Sequence, residues 1–141
     1  MYMNEQQVEK NTRNYLKDDG WKLTNLPRTI GQHGCDITAW HPKRRKILYI
    51  ETKGDGNIKN KHQTIHNSFY TLLGQILSRM DKEGNNHKKA RIYAIAIPSG
   101  WEEVYRKKIK QMPYGWKLLK LKVFLVNKDK VELKNHKHFL K

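Results

Sequence analysis

The 141-residue sequence predicts an α/β fold, a mixed central sheet flanked by helices. Three observations predict it. Residues 36–40 and 47–53 are two runs rich in β-branched, aliphatic and aromatic side chains, separated by a polar stretch at 41–46, which is the pattern of an antiparallel hairpin. A helical stripe of Ile65, Phe69, Leu72, Leu73, Ile76 and Met80 then runs from about residue 62 to 82. Residues 91–97 follow as a nearly continuous apolar run closed by Pro98, as expected for a central strand covered on both faces. A long helix between two strands is the usual connection of a parallel pair, so hairpin and crossover together make the sheet mixed.

The elements can be justified in order. Asn4 is a suitable N-cap for a first helix, in which Val8, Thr12, Tyr15 and Leu16 recur at helical spacing until Gly20 stops it. Glu5 and Glu9 lie one turn apart at the edge of that stripe, where acids complement the helix dipole. Residues 21–26 alternate and read as a strand ended by Pro27, and 29–34, with two glycines, read as a loop leading to Asp36. After the hairpin, 54–57 break the strand and a basic stretch at 59–61 precedes the long helix. Gln75 falls on the border of that helix's apolar stripe, beside Ser68 and Arg79, and 84–86 end it. Residues 101–110 read as a short helix with Ser99 as its candidate cap, 121–126 as a strand, and 131–133 as an edge piece after a turn at 127–130. The expected order is helix, three strands, long helix, strand, short helix, strand, in a single domain covering 1–141.

Composition limits the function. Lys and Arg number 29 against 13 acids, a formal charge of +16, and a field of that sign attracts polyanions, with nucleic acid first among them. No stretch has the apolar length of a spanning helix and no signal-peptide pattern opens the sequence, so a membrane is not expected as partner. The single cysteine, Cys35, excludes an intrachain disulfide and points to a reduced, cytoplasmic compartment. Cys35 itself reads as a small buried hydrophobe. His62 and His66 are one helical turn apart as in zinc peptidases, but the intervening Gln63-Thr64-Ile65 lacks the glutamate base and no third ligand is evident, so solvated or phosphate-contacting histidines are preferred. His136 and His138 read as part of a frayed polar tail. Trp40, Tyr49 and Trp101 read as core in preference to base-stacking platforms. The hairpin tip Lys43-Arg44-Arg45 and the pair Lys59 and Lys61 are the basic residues best placed to contact phosphates.

The hairpin carries the chemistry. With its turn centred near Lys43-Arg44, Asp36 lies across from Glu51 on one face, and alternation puts Lys53 on that face too. Two carboxylates and an ammonium among apolar neighbours are costly unless paired or bound to a cation. Hard divalent cations such as magnesium take oxygen ligands, so Asp36, Glu51 and the Thr52 carbonyl between them form a credible partial shell. A cation there lowers the pKa of bound water and polarises a phosphoryl oxygen, and Lys53 is suited to orient the water or stabilise charge on phosphorus. The plainer alternative is a structural ion pair of Asp36 with Lys53, leaving Glu51 exposed at a strand end.

Asp36, fourteen residues, then Glu51-Thr52-Lys53 on a hairpin between two helices resembles the PD-(D/E)XK nuclease superfamily. The αβββαβ order matches that superfamily's restriction-endonuclease-like core over about residues 5–97. Glu9, leading to Gly20-Trp21, resembles the first helix of archaeal Holliday junction resolvases, and Gly34-Cys35-Asp36 resembles the glycine-preceded aspartate of methylation-dependent restriction endonucleases. Gln75 is similar to a glutamine some members place in the active site. Two positions depart from the pattern: Cys35 replaces the motif's proline, and Arg79 stands where exonuclease-type members have tyrosine. The resemblance implies an endonuclease acting on DNA, with branched or junction DNA among its substrates. It implies that Asp36, Glu51, Glu9 and the Thr52 carbonyl bind Mg2+ or Mn2+, that Lys53 assists the attacking water, and that Gln75 positions water or phosphate. A homodimer would provide two sites for two strands. The alternative is a non-catalytic nucleic-acid-binding protein that keeps the fold; carboxylates beside a polyanion count against it, since they weaken binding.

Overall fold

The structure, a computed structural model, describes residues 2–25, 35–56, 61–83 and 90–141, the side chains of 81–83 excepted. Helix α1, Glu5–Asp18, begins in a reciprocal capping box: Asn4 Oδ1 accepts from the Gln7 N–H at 2.8 Å, and Gln7 Oε1 accepts from the Asn4 N–H at 2.9 Å. Val8 and Leu16 are fully buried beneath it. Gly20 follows with φ +88°, a left-handed conformation that glycine adopts without a Cβ penalty.

Strand β1 is only Lys22–Leu23, shorter than the expected 21–26. Beyond Thr24, whose N–H still donates to the Thr38 carbonyl, side-chain bonds of Asn25 replace the backbone ladder: its Oδ1 accepts from the Thr38 N–H at 2.9 Å. Residue 26 and the expected loop at 29–34 lie outside the described residues, as do the helix end at 84–86 and Lys59. Strands β2, Ile37–His41, and β3, Lys46–Thr52, form the hairpin, antiparallel and in register from His41↔Lys46 to Ile37↔Ile50. One step past the last pair sets Asp36 opposite Glu51, as the centred turn requires. The turn itself places Arg45 at φ 54°.

Helix α2, Lys61–Glu83, crosses to β4, Ala90–Pro98, which runs parallel to β3 on one side and to β5, Lys122–Val126, on the other. Strand β6, Val131–Lys134, closes the edge antiparallel to β5, giving a six-stranded mixed sheet in sequence order β1 to β6. The expected αβββαβ order is the order observed. Burial against both faces stabilises the sheet. Phe69, Leu72 and Ile76 of α2 pack on one side with Ile95 and Ile97; Val8 and Leu16 of α1 pack on the other with Ile37, Ile50, Ala94 and Ala96.

The C-terminal part differs from expectation. Ser99 makes no side-chain cap; it opens a 3-10 turn, Ser99–Trp101, that runs into α3, Glu102–Lys110. A further helix, α4, Pro113–Leu119, stops where Lys120 turns left-handed at φ 51°. The expected frayed tail is a 3-10 turn, His136–Leu140, held because Phe139 is fully buried, the His136 carbonyl accepts from Trp116 Nε1 at 2.8 Å, and His138 and Arg106 both bond Glu102. Among the described residues no helix is long and apolar enough to cross a membrane.

Candidate active site

The open end of the hairpin gathers the acids. Asp36 lies just before β2, and its Oδ2 accepts from both the Thr52 N–H at 2.8 Å and the Thr52 hydroxyl at 3.1 Å. Its main chain is held from behind by Arg13 of α1, a residue only 5% exposed. Arg13 donates to the Asp36 carbonyl at 2.8 Å, to the Asn25 carbonyl at 2.7 Å and to Glu9 Oε2 at 3.0 Å. Asn25 Nδ2 bonds the carbonyls of Cys35 and Asp36. The aspartate is thereby fixed in position by an element far from it in sequence.

Glu51 is 2% exposed, which excludes the alternative that leaves it in solvent at a strand end. Arg79 of α2 approaches it, Nε to Oε1 at 3.3 Å. Burial raises the Glu51 pKa first, and the adjacent Asp36 charge raises it further; the Arg79 hydrogen bond opposes both, a hydrogen bond with Asp36 adds to them, and the outcome is about 7. Burial beside Asp36 thus makes ionisation of Glu51 costly.

Lys53 extends the pairing with β4 through its N–H to the Ala96 carbonyl, and its Nζ stands 3.9 Å from Glu5 Oε1. Glu5 is therefore the first-helix acid beside Lys53, while Glu9, expected as a further metal ligand, is engaged by Arg13. The close approach of helix and strand depends on Gly54: a Cβ there would lie 2.3 Å from the Glu5 nitrogen. Gln75, one turn before Arg79 on α2, has a buried Oε1 with no hydrogen-bond partner among the described residues.

The expected phosphate contacts are more scattered. Lys43, Arg44 and Arg45 are exposed at the hairpin turn, about 20 Å along β3 from the acids. Arg44 is bidentate to Asp19, at 2.9 and 3.4 Å, and lies over the Trp21 ring. Lys61, at the start of α2, is 4.0 Å from Asp55. His62 and His66 bring their Nε2 atoms to 2.9 Å on α2, and no group of three or more His, Cys, Asp or Glu set to hold a metal occurs among the described residues. Cys35 is buried against the Ile50 and Ile37 carbonyls, and burial pushes its thiol up to about 12, so it is inert as expected. Tyr49 and Trp101 are buried, Tyr49 stacked on Tyr93.

Three residues that matter here went unread in the sequence: Arg13, Asn25 and Asp55. Asp55 is a buried carboxylate whose Oδ1 accepts from Trp101 Nε1 at 2.8 Å and whose Oδ2 accepts from the Met3 N–H at 2.9 Å, tying the chain start to the segment after β3. The Gly54-Asp55-Gly56 sequence signals a turn but not a buried acid. The spacing Glu9 to Arg13 signals a helical ion pair but not a buried one.

The donor set suits a hard divalent cation. Asp36 and Glu51 supply carboxylate oxygens in contact, Gln75 supplies an orphaned amide oxygen on the facing helix, and no reactive thiolate favours a softer metal.

No protein-family model and no curated protein matches this sequence. Two solved structures resemble its fold. An XisH family protein from Nostoc punctiforme superposes with a TM-score of 0.53 at 18% identity, over 91% of this chain and 97% of that one. An fdxN element excision controlling factor protein from Anabaena variabilis superposes with a TM-score of 0.51 at 19% identity, over 93% and 96%. At such identities the likeness is one of fold.

Proposed function

We propose that this protein is a metal-dependent endonuclease of the PD-(D/E)XK type, hydrolysing phosphodiester bonds in DNA. The observation that carries the reading is the pairing of half-buried Asp36 with buried Glu51, set in register at the hairpin's open end with Lys53 beyond it, in a chain of net charge +16. A binding surface alone gains nothing from buried acids next to a polyanion. The Anabaena neighbour, described as controlling excision of an element, is in keeping with DNA as the substrate.

Asp36, Glu51 and the Thr52 carbonyl would hold Mg2+ or Mn2+. When bound, such a cation supplies Lewis acidity toward the phosphate and a water of lowered pKa. Thr52 orients the Asp36 carboxylate through two hydrogen bonds to Oδ2. Glu51 would hold the cation as its carboxylate, and with a pKa of about 7 it loses its proton at little cost at neutral pH. Lys53, paired with Glu5, would supply positive charge toward the attacking oxygen and the phosphorane. Gln75 offers its amide oxygen to a water proton. Glu9 contributes through Arg13 by fixing Asp36. Water attacks phosphorus, one P–O ester bond breaks, and the water's proton ends on the leaving oxygen or in solvent. Two copies related by a two-fold axis would address both strands of a duplex.

Labelled duplex, four-way junction and single-stranded substrates should be incubated with Mg2+, Mn2+ or chelator. Cutting only with metal supports the nuclease, and the preferred substrate tests the junction preference. A second reading, a non-catalytic DNA-binding protein, draws on the Arg79 pairing that neutralises Glu51. It requires that no substrate be cut and that all bind alike with and without metal.

A further inference from the structure

Arg79 occupies a position that a bound cation would contest. Its Nε sits 3.3 Å from Glu51 Oε1, and its side chain is 17% exposed. Among the described residues, the hydrogen bond that Arg79 makes is through Nε and none is made by its two terminal Nη groups. An arginine whose hydrogen bond to an acid, among the described residues, runs through its inner nitrogen keeps for other uses the fork that carries four of its five donors. Two physical demands meet here. Without a divalent ion, the adjacent Asp36 and Glu51 need a counter-charge in a site with little solvent. With one, Glu51 Oε1 is wanted as a ligand, and a planar guanidinium at the site's edge matches the two non-bridging oxygens of a phosphodiester.

We propose that Arg79 is an exchangeable cation: it neutralises Glu51 in the metal-free protein, and once a divalent ion takes that carboxylate, its guanidinium is released to bind the phosphodiester to be cut. This rests on the reading of the site as a metal-dependent phosphodiesterase. It makes Arg79 and the metal competitors for Glu51 and partners toward DNA. Gln75, one turn earlier on the same helix, supplies the kind of buried acceptor to which a displaced side chain or water can turn.

The test compares wild type with Arg79→Ala and Arg79→Lys, using Mn2+ titrated by calorimetry and a labelled duplex oligonucleotide followed by anisotropy in chelator or in Ca2+. For Arg79→Ala, Mn2+ binding should tighten by about 3- to 10-fold, since the competing charge is gone. Its DNA affinity should match wild type in chelator and fall by about 10-fold in Ca2+. Arg79→Lys, which keeps the charge and guards against a variant that fails to fold, should hold Mn2+ within about twofold of wild type yet lose several-fold in DNA affinity in Ca2+. A merely structural arginine would shift DNA binding equally in both conditions and would not tighten metal; either result overturns the proposal. If the Arg79 signature appears while wild type cuts nothing, the exchange stands and the nuclease reading falls. If wild type cuts with metal but Arg79→Ala cuts as fast and binds metal no tighter, the reverse holds.

Discussion

Glu51 concentrates the conflict between burial and charge. Its pKa of about 7 lies above that of an exposed glutamate, so the folded protein binds a proton more readily than the unfolded chain. The associated stability is fully present below pH about 4.5 and is lost as pH rises through 7. Urea titrations in chelator should therefore show the wild type weakening from pH 5 to pH 8.5, and Glu51→Gln removing roughly 1–3 kcal/mol of that fall. A wild type that strengthens over this interval would refute the assignment. Divalent cation should reverse the trend, since it binds the deprotonated acid. Arg13 makes the complementary case. Truncation to alanine removes the Arg13 donors from the Asp36 and Asn25 carbonyls and from Glu9, for an expected loss of about 2–4 kcal/mol by denaturant melts, with Arg13→Lys restoring little because an ammonium cannot span three acceptors. Asp36 and Glu51 were legible because hairpin register follows from turn position. Arg13 was not, because a charged residue in a helix is exposed by default and only the fold shows that its partners surround it.

At the scale of elements, the junction of α1 with the end of β3 governs the site. Gly54 allows the Asn4–Glu5 backbone to lie against it, so Gly54→Ala should force the first turn of α1 away and lower thermal stability by several degrees, with Lys53 and Glu5 drawn apart. Gly74, inside α2 with no atom within 4 Å of where a Cβ would stand, is the control: Gly74→Ala should raise stability by about 0.5–1 kcal/mol. Equal effects of the two substitutions would contradict the packing described. The strong elements were readable from pattern: α2 from its long apolar stripe, β4 from its continuous run. Helix α4 was not, since seven residues with one buried side chain, Trp116, show no period, and only Pro113 marks its start. The terminal turn escaped for a similar reason: its order comes from Phe139, a single aromatic in a basic segment, and from bonds to α3 that no local pattern encodes.

For the whole molecule, the proposed function together with a net charge of +16 predicts that DNA affinity is largely electrostatic. Binding measured between 50 and 200 mM salt should fall by about 10-fold or more, linearly on logarithmic axes. Lys43 and Arg45 at the hairpin turn should contribute to that slope without altering metal affinity, because they stand at the opposite end of β3 from the acids. A salt-independent affinity would remove charge as the organising feature of the surface.

The central claim is that Asp36 and Glu51 form a cation-dependent centre for phosphodiester hydrolysis. Its most direct test is nicking of supercoiled plasmid by wild type, Asp36→Asn and Glu51→Gln in Mn2+ and in chelator. The account predicts nicking by wild type in Mn2+ alone, and a loss of at least about 100-fold in either variant while both still bind the plasmid. Nicking that survives in chelator, or in both variants, would contradict it.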